Sequence, residues 1–178
     1  MVSRFFLMTG FSCGGNSTLL EALGQRGFAT VLEPGRRIVT EEIAGDDKAL
    51  PWVDLRVFAQ RALKMARSDL EAAHRFEGNV FFDRGLVDAA VALEHLGGPP
   101  VGEILGETHA YAERVFVFPP WQKLFAEDAE RRHDFDAAVQ EYHQINHSSD
   151  SLGYIRHVLP QASVSERVEL VLTSCRAN

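Results

Sequence analysis

Nine residues near the start constrain this chain more than any other stretch: Gly10-Phe11-Ser12-Cys13-Gly14-Gly15-Asn16-Ser17-Thr18. They follow the apolar run Phe5-Phe6-Leu7-Met8, which reads as a short buried strand. They precede Leu19, Leu20 and Leu23, which share one face of a helix that Gly24 or Gly27 stops. Strand, glycine-rich turn and helix in that order aim unpaired amides and the positive end of a helix dipole at one point, the arrangement that captures a phosphate. The pattern G-x-x-x-x-G-K-[ST] adds a lysine for the outer phosphates and a hydroxyl for Mg²⁺. Here Gly10, Gly15 and Ser17 fit the pattern, while Asn16 stands where the lysine belongs. The stretch therefore predicts a nucleotide-phosphate site formed by Gly10, Ser12, Cys13, Gly14, Gly15, Asn16, Ser17 and Thr18.

A chain of 178 residues is long enough for one well-cored domain and short for two, so a single domain over 1–178 is expected. With 46% hydrophobic and 24% charged residues it has a globular composition, and no apolar run approaches the roughly 18 residues that span a bilayer. Four or five apolar residues after Arg4 are too few for an export signal, so a cytoplasmic protein with Cys13 and Cys175 as reduced thiols is expected. A formal net charge of −7 argues against a nucleic-acid partner, and any anion site has to be a local cluster of arginines. Lysine occurs only at Lys48, Lys64 and Lys123, none beside the loop.

Further along, Phe28 to Leu32 reads as a second strand ending at Glu33-Pro34-Gly35, and Arg36-Arg37-Ile38-Val39 opens a charged helix or loop. Helical spacing runs from Leu55 to Ala73 and again from Leu86 to Leu96, the latter apolar enough to be buried. Asn79 to Phe82 is a third strand, ended by Asp83-Arg84-Gly85. A helix near Glu103 to Ala112 leads to a fourth strand, Val115 to Phe118. Phe135, Ala138, Val139 and Tyr142 resume helical spacing, Tyr154 to Leu159 is a fifth strand, and Ser163 with Glu166 forms a capping box for a last helix from Ser165 to about Thr173. Strands alternating with helices need crossovers, hence a mostly parallel α/β sheet covered by helices on both faces.

Ligands in such sheets bind at the carboxyl ends of the strands. That rule gathers the loop after strand one, Glu33, Arg36 and Arg37 after strand two, Asp83 and Arg84 after strand three, and Arg131 and Arg132 after strand four into one crevice. Arginines and carboxylates around a phosphate loop suit phosphoryl transfer, in which a protein chiefly positions groups and neutralises charge. Ser17 is placed to ligate Mg²⁺ directly and Asp83 through water, while either Glu33 or Asp83 is placed to take a proton from an acceptor hydroxyl. His143 and His147 sit one helical turn apart, but the sequence offers no third zinc ligand.

The ordered set Thr9-Gly10 to Leu23, Glu33 to Ile38, Leu50-Pro51-Trp52, Val80 to Gly85, Val117 to Trp121 and Asp128 to Phe135 resembles the small bacterial P-loop proteins described as predicted ATPases or AAA-like, akin to nicotinamide-riboside, nucleoside and nucleotide kinases. The resemblance covers nearly the whole chain. It implies a three-layer P-loop fold with a five-stranded sheet in the order 2-3-1-4-5, and a lid-like segment at about 121–135 whose Arg131 and Arg132 close over the nucleotide. It also implies that Glu33 contacts the acceptor, that Asp83 and Arg84 serve Mg²⁺ and phosphate, and that the loop from Pro160 to Val164 lies near the base. Members of the family carry Gly-Lys-Ser where this chain has Gly15-Asn16-Ser17. The expectation is an ATP- or GTP-binding, Mg²⁺-dependent phosphotransferase on a small acceptor such as a nucleoside or nucleotide, with no membrane partner and no oligomeric state assigned. The alternative is a binding module that holds a nucleotide or anion without turning it over.

Overall fold

In the computed structural model the described residues are 4–11, 15–45, 47–106, 110–121 and 135–176. Five strands, β1 (Phe5–Gly10), β2 (Ala29–Val31), β3 (Val80–Asp83), β4 (Arg114–Phe118) and β5 (Ile155–Val158), form one sheet in the order β2-β3-β1-β4-β5. Every strand pair is parallel. Among the described residues seven helices connect and cover them: α1 (Asn16–Gln25), α2 (Pro34–Ile43), α3 (Leu55–Ala73), α4 (Leu86–His95), α5 (Val101–Leu105), α6 (Phe135–Ser151) and α7 (Val164–Arg176).

The near-continuous apolar runs of the central strands follow from burial on both faces, which parallel sheets require. Phe5 and Leu7 of β1, Val80 and Phe82 of β3, and Val115 and Val117 of β4 join the core beneath α3, α4 and α6. The alternate residues Phe6, Met8, Phe81, Phe116 and Phe118 join a second core with Leu19, Leu20 and Leu23 of α1 and Val168, Val171 and Leu172 of α7. The period of two along each strand thus divides the chain into three layers.

The longest of these helices, α3, spans the residues its periodicity predicts and is capped by Asp54, whose side chain accepts from the Val57 amide at 3.0 Å. One expected element is shorter than the sequence suggests. Among the described residues near Glu103 to Ala112, the helix runs over Val101–Leu105 and Gly106 follows with φ 67. Beyond it Tyr111 and Ala112 serve the sheet instead, Ala112 donating its amide to the Phe5 carbonyl at 2.7 Å.

Candidate functional site

β1 sits between β3 and β4, in a register that pairs Met8 with Asp83 and Gly10 with Phe118. Its end must turn while hemmed in by both neighbours. At Gly10, φ is 115 and a Cβ would lie 2.6 Å from the Phe118 carbonyl oxygen, so only glycine fits. Gly15 caps α1 with φ 88 and makes no side-chain cap hydrogen bond, and the amides of a helix's first turn have no partner within the helix itself. Asn16 opens that helix as a buried residue, and its Oδ1 has no hydrogen-bond partner among the described residues. Ser17 and Thr18 are exposed. Ser12, Cys13 and Gly14 lie outside the described residues.

The end of β3 carries the other half of the site. Asp83 is buried and its Oδ2 accepts a hydrogen bond from Ser17 Oγ at 3.0 Å. A hydroxyl and a carboxylate oxygen at this separation are the hard oxygen donors that Mg²⁺ takes, one or two protein ligands being its usual complement beside water and phosphate. By donor chemistry the residues present fit the ion, and Ser17 and Asp83 are the pair that would hold it. No group of three or more His, Cys, Asp or Glu residues suited to a metal occurs among the described residues, so His143 and His147 acquire no third partner there.

Arg84 adopts a left-handed backbone, φ 56, which a non-glycine residue holds only when its surroundings insist. Its amide donates to the Met8 carbonyl at 2.8 Å, Nη2 to the Gly10 carbonyl at 3.0 Å and Nη1 to Glu141 Oε1 of α6 at 2.6 Å. Glu33 lies 3.7 Å from Nε and Asp88 3.8 Å from Nη1. Burial alone would lower the Arg84 pKa, but the carboxylates of Glu141, Glu33 and Asp88 outweigh it and hold the guanidinium charged. Asp88 caps α4 by accepting from the Gly85 amide at 3.1 Å and also accepts from the Thr9 hydroxyl. Burial nonetheless pushes its pKa up to about 6.

These groups form the polar end of a cavity of about 360 Å³ that runs between α2, α3, α4 and α6, its far walls made of Phe58, Ala59, Ala62, Ala89 and Ala138. Arg36 lines it as well. Arg37 does not reach it. Although it follows Arg36 directly, the helical turn of α2 directs it to Asp69 of α3, which accepts from its Nη1 at 2.7 Å. Arg131 and Arg132, and with them residues 122–134 of the expected lid, lie outside the described residues.

Sequence reasoning missed Asp88, Glu141 and Tyr111. Asp88 was legible as the third helical residue after Gly85, a capping position. Glu141 and Tyr111 come from distant segments with no local signal. Tyr111 accepts from the Leu86 amide at 2.9 Å and fixes the turn that carries Arg84.

A five-stranded parallel sheet in this order, with a glycine turn leading from β1 into a helix and an acid-arginine pair ending β3, is the fold of P-loop kinase-like NTPases. The chain belongs to the family described as AAA domain, which matches residues 5–167. Solved structures agree. A deoxyadenosine kinase from M. mycoides, solved with dCMP and a flexible dCDP, superposes with TM-score 0.65 at 14% identity, covering 97% of this chain and 98% of its own. The same enzyme with dATP gives 0.61 at 16%, over 97% and 99%. A shikimate kinase from Acinetobacter baumannii, in complex with shikimate, gives 0.63 at 12%, over 100% and 95%. No curated protein matches the chain by sequence.

Proposed function

We propose that this protein is a phosphotransferase that moves the terminal phosphoryl group of ATP or GTP to a hydroxyl of a small, uncharged or cationic acceptor such as a nucleoside. The observation that carries the reading is the position of the cavity, whose polar end is Glu33 and Arg84, one residue from Asp83 and its hydrogen bond to Ser17. In this reading the triphosphate lies in the Gly10 to Thr18 turn and the acceptor in the cavity. The acceptor oxygen attacks the terminal phosphorus, its proton passes to the Glu33 carboxylate, and the bond to the nucleoside diphosphate breaks. Mg²⁺ held by Ser17 and Asp83 would supply charge neutralisation on the phosphates, which is most of what a protein provides in this chemistry. The reading further takes the chain as one nucleotide-binding domain with a lid that brings Arg131 and Arg132 over the phosphates.

Charge narrows the acceptor. Among the described residues, the ionisable groups lining the cavity are Glu33, Asp88 and Glu141 against Arg36 and Arg84, with His95 farther along. Arg84 is already engaged by Glu141 and the Gly10 carbonyl, so a carboxylate or phosphate on the acceptor meets more negative than positive charge. A nucleoside is therefore favoured over a nucleotide.

Asn16 favours a second reading, in which nucleotide binds but is not turned over, since a missing preorganised contact typically lowers rate by about 10² to 10³. Thermal-shift and phosphate-transfer assays with ATP, GTP, Mg²⁺ and a panel of nucleosides and nucleotides decide between them. Ligand at about 100 times its Kd adds about 2.7 kcal/mol, or about 5 to 10 °C in a chain of this size. Stabilisation with transfer to a nucleoside supports the kinase. Stabilisation without transfer by the natural chain, but with transfer by Asn16→Lys, supports the binding module.

A further inference from the structure

One face of α4 runs the length of the cavity, from a buried end to an open one. Asp88, Ala92 and His95 all line the space, at spacings of four and three residues that stack them along one side of the helix. Asp88 is buried while Ala92 and His95 are exposed, so the cavity opens toward His95, about 10 Å from Asp88 along the axis at 1.5 Å per residue. The inner end is the polar cluster of Glu33, Arg84, Asp88 and Glu141. Between the ends Ala59, Ala62, Ala89 and Ala138 leave a slot between the helices, and Phe58 lends it an aromatic ring. Walls of that kind give van der Waals contact and no hydrogen bonds, so a polyol filling the slot would strand its hydroxyls. A flat ring would not.

At the open end α6 meets α4 through two side chains that both line the cavity. Gln144 Nε2 lies 3.1 Å from Nδ1 of His95 and 3.5 Å from its Nε2. An amide and a neutral imidazole each carry a donor and an acceptor, so one bond between them leaves a donor and an acceptor standing side by side, whichever tautomer the ring takes. As a tie between two exposed helix surfaces the pair would add little to stability. Its position is what matters, because it faces the Glu33 and Arg84 end across a run of alanines.

We propose that His95 and Gln144 read the hydrogen-bonding edge of a flat heterocycle on the acceptor, a nucleobase whose sugar hydroxyl reaches toward Glu33 and Arg84. This rests on the phosphotransferase reading and names the pair that sets its choice among acceptors. Nucleobases differ from one another in the order of donors and acceptors along that edge, so a side-by-side pair of the two discriminates between them, and a polyol without such an edge is refused.

The test is calorimetric titration of the full chain and its variants with adenosine, guanosine, cytidine, uridine and inositol, and with ATP and Mg²⁺ as a control. The natural chain is expected to prefer its best nucleoside over its worst by about tenfold or more, the effect of one polar group left unpaired, and to hold inositol more weakly than the favoured nucleoside. Gln144→Met and His95→Phe, which remove the polar atoms and keep the bulk, flatten that preference and leave ATP affinity as it was. A preference that persists in both variants overturns the proposal, as does a natural chain that binds the four nucleosides alike or takes inositol as tightly. An equal loss of ATP affinity in a folded variant shows the pair acting through the fold and overturns it too. Should Gln144→Met not fold, Gln144→Glu makes the comparison, since a carboxylate only accepts and shifts the preference toward bases that present an amino group. Selective binding abolished by the variants, with phosphate transferred to none of the nucleosides, upholds this inference and rejects the phosphotransferase reading. A chain that binds ATP but no nucleoside overturns the proposal and removes the nucleoside acceptor with it.

Discussion

Ser17, on the first turn of α1, donates a hydrogen bond of 3.0 Å to Asp83, the last residue of β3. Sixty-six positions separate the two in the chain. The bond exists because β1 and β3 are parallel neighbours in a register that sets Met8 opposite Asp83. The turn after β1 then delivers Ser17 to the same end of the sheet. If this pair is the Mg²⁺ site, Ser17→Ala and Asp83→Asn remove the part of ATP stabilisation that depends on Mg²⁺, while stabilisation by ATP alone survives. A thermal-shift series with and without Mg²⁺ measures this. An undiminished Mg²⁺ increment in both variants rules the pair out as ligands.

Arg84 is held by three carboxylates and a carbonyl, so its removal strands buried charge. Arg84→Met is expected to cost about 3 to 5 kcal/mol in urea unfolding, the range for one partner lost from a buried pair. Arg84→Lys recovers part of this, since one ammonium cannot span Glu141 and the Gly10 carbonyl as the guanidinium does. A loss under about 1 kcal/mol for Arg84→Met would show the cluster to be solvated.

Asp88 gives the pH dependence a sign. Its folded pKa of about 6 is above the ordinary 3.8, because burial outweighs the attraction of Arg84 and the Thr9 hydrogen bond. Between the two values the folded chain binds more protons than the unfolded one, so stability falls as pH rises. The contribution is complete below about pH 4 and gone above about pH 6. It amounts to at most roughly 3 kcal/mol at 1.36 kcal/mol per unit. The stability of the natural chain relative to Asp88→Asn should decline across this window in urea unfolding at stepped pH. A flat or rising difference contradicts the direction.

Gly85 and Tyr111 are coupled sterically. A Cβ on Gly85 would come within 2.2 Å of the Tyr111 hydroxyl, the group that accepts from the Leu86 amide. Gly85→Ala is expected to cost about 1 to 3 kcal/mol through overpacking, and Tyr111→Phe a similar amount through the orphaned amide. Together they should cost less than the sum, because removing the hydroxyl makes room for the methyl group. A double-mutant cycle that comes out additive within about 0.5 kcal/mol refutes the coupling.

What the sequence determined by itself was whatever depends on near neighbours in the chain. Glycines flanked by an apolar run and a leucine face specify a strand, a turn and a helix. The spacing from Leu55 to Ala73 specifies α3, and Ser163 with Glu166 specifies the start of α7. Alternation of such elements is enough for a parallel α/β sheet, and the strand-end rule pointed to the ends of β2 and β3, where Glu33 and Arg84 line one cavity. Only the tertiary structure decided which side chains meet there. Arg36 and Arg37 are adjacent and alike, yet the 100° step between successive helical residues sends one to the cavity and the other to Asp69. Glu141 reaches Arg84, Tyr111 reaches Leu86 and Arg167 reaches Gly15 from segments far away in the chain. Contacts of that kind carry no local period or spacing. They arise from the angle and depth at which whole helices pack on the sheet, and that is set by all the core residues together.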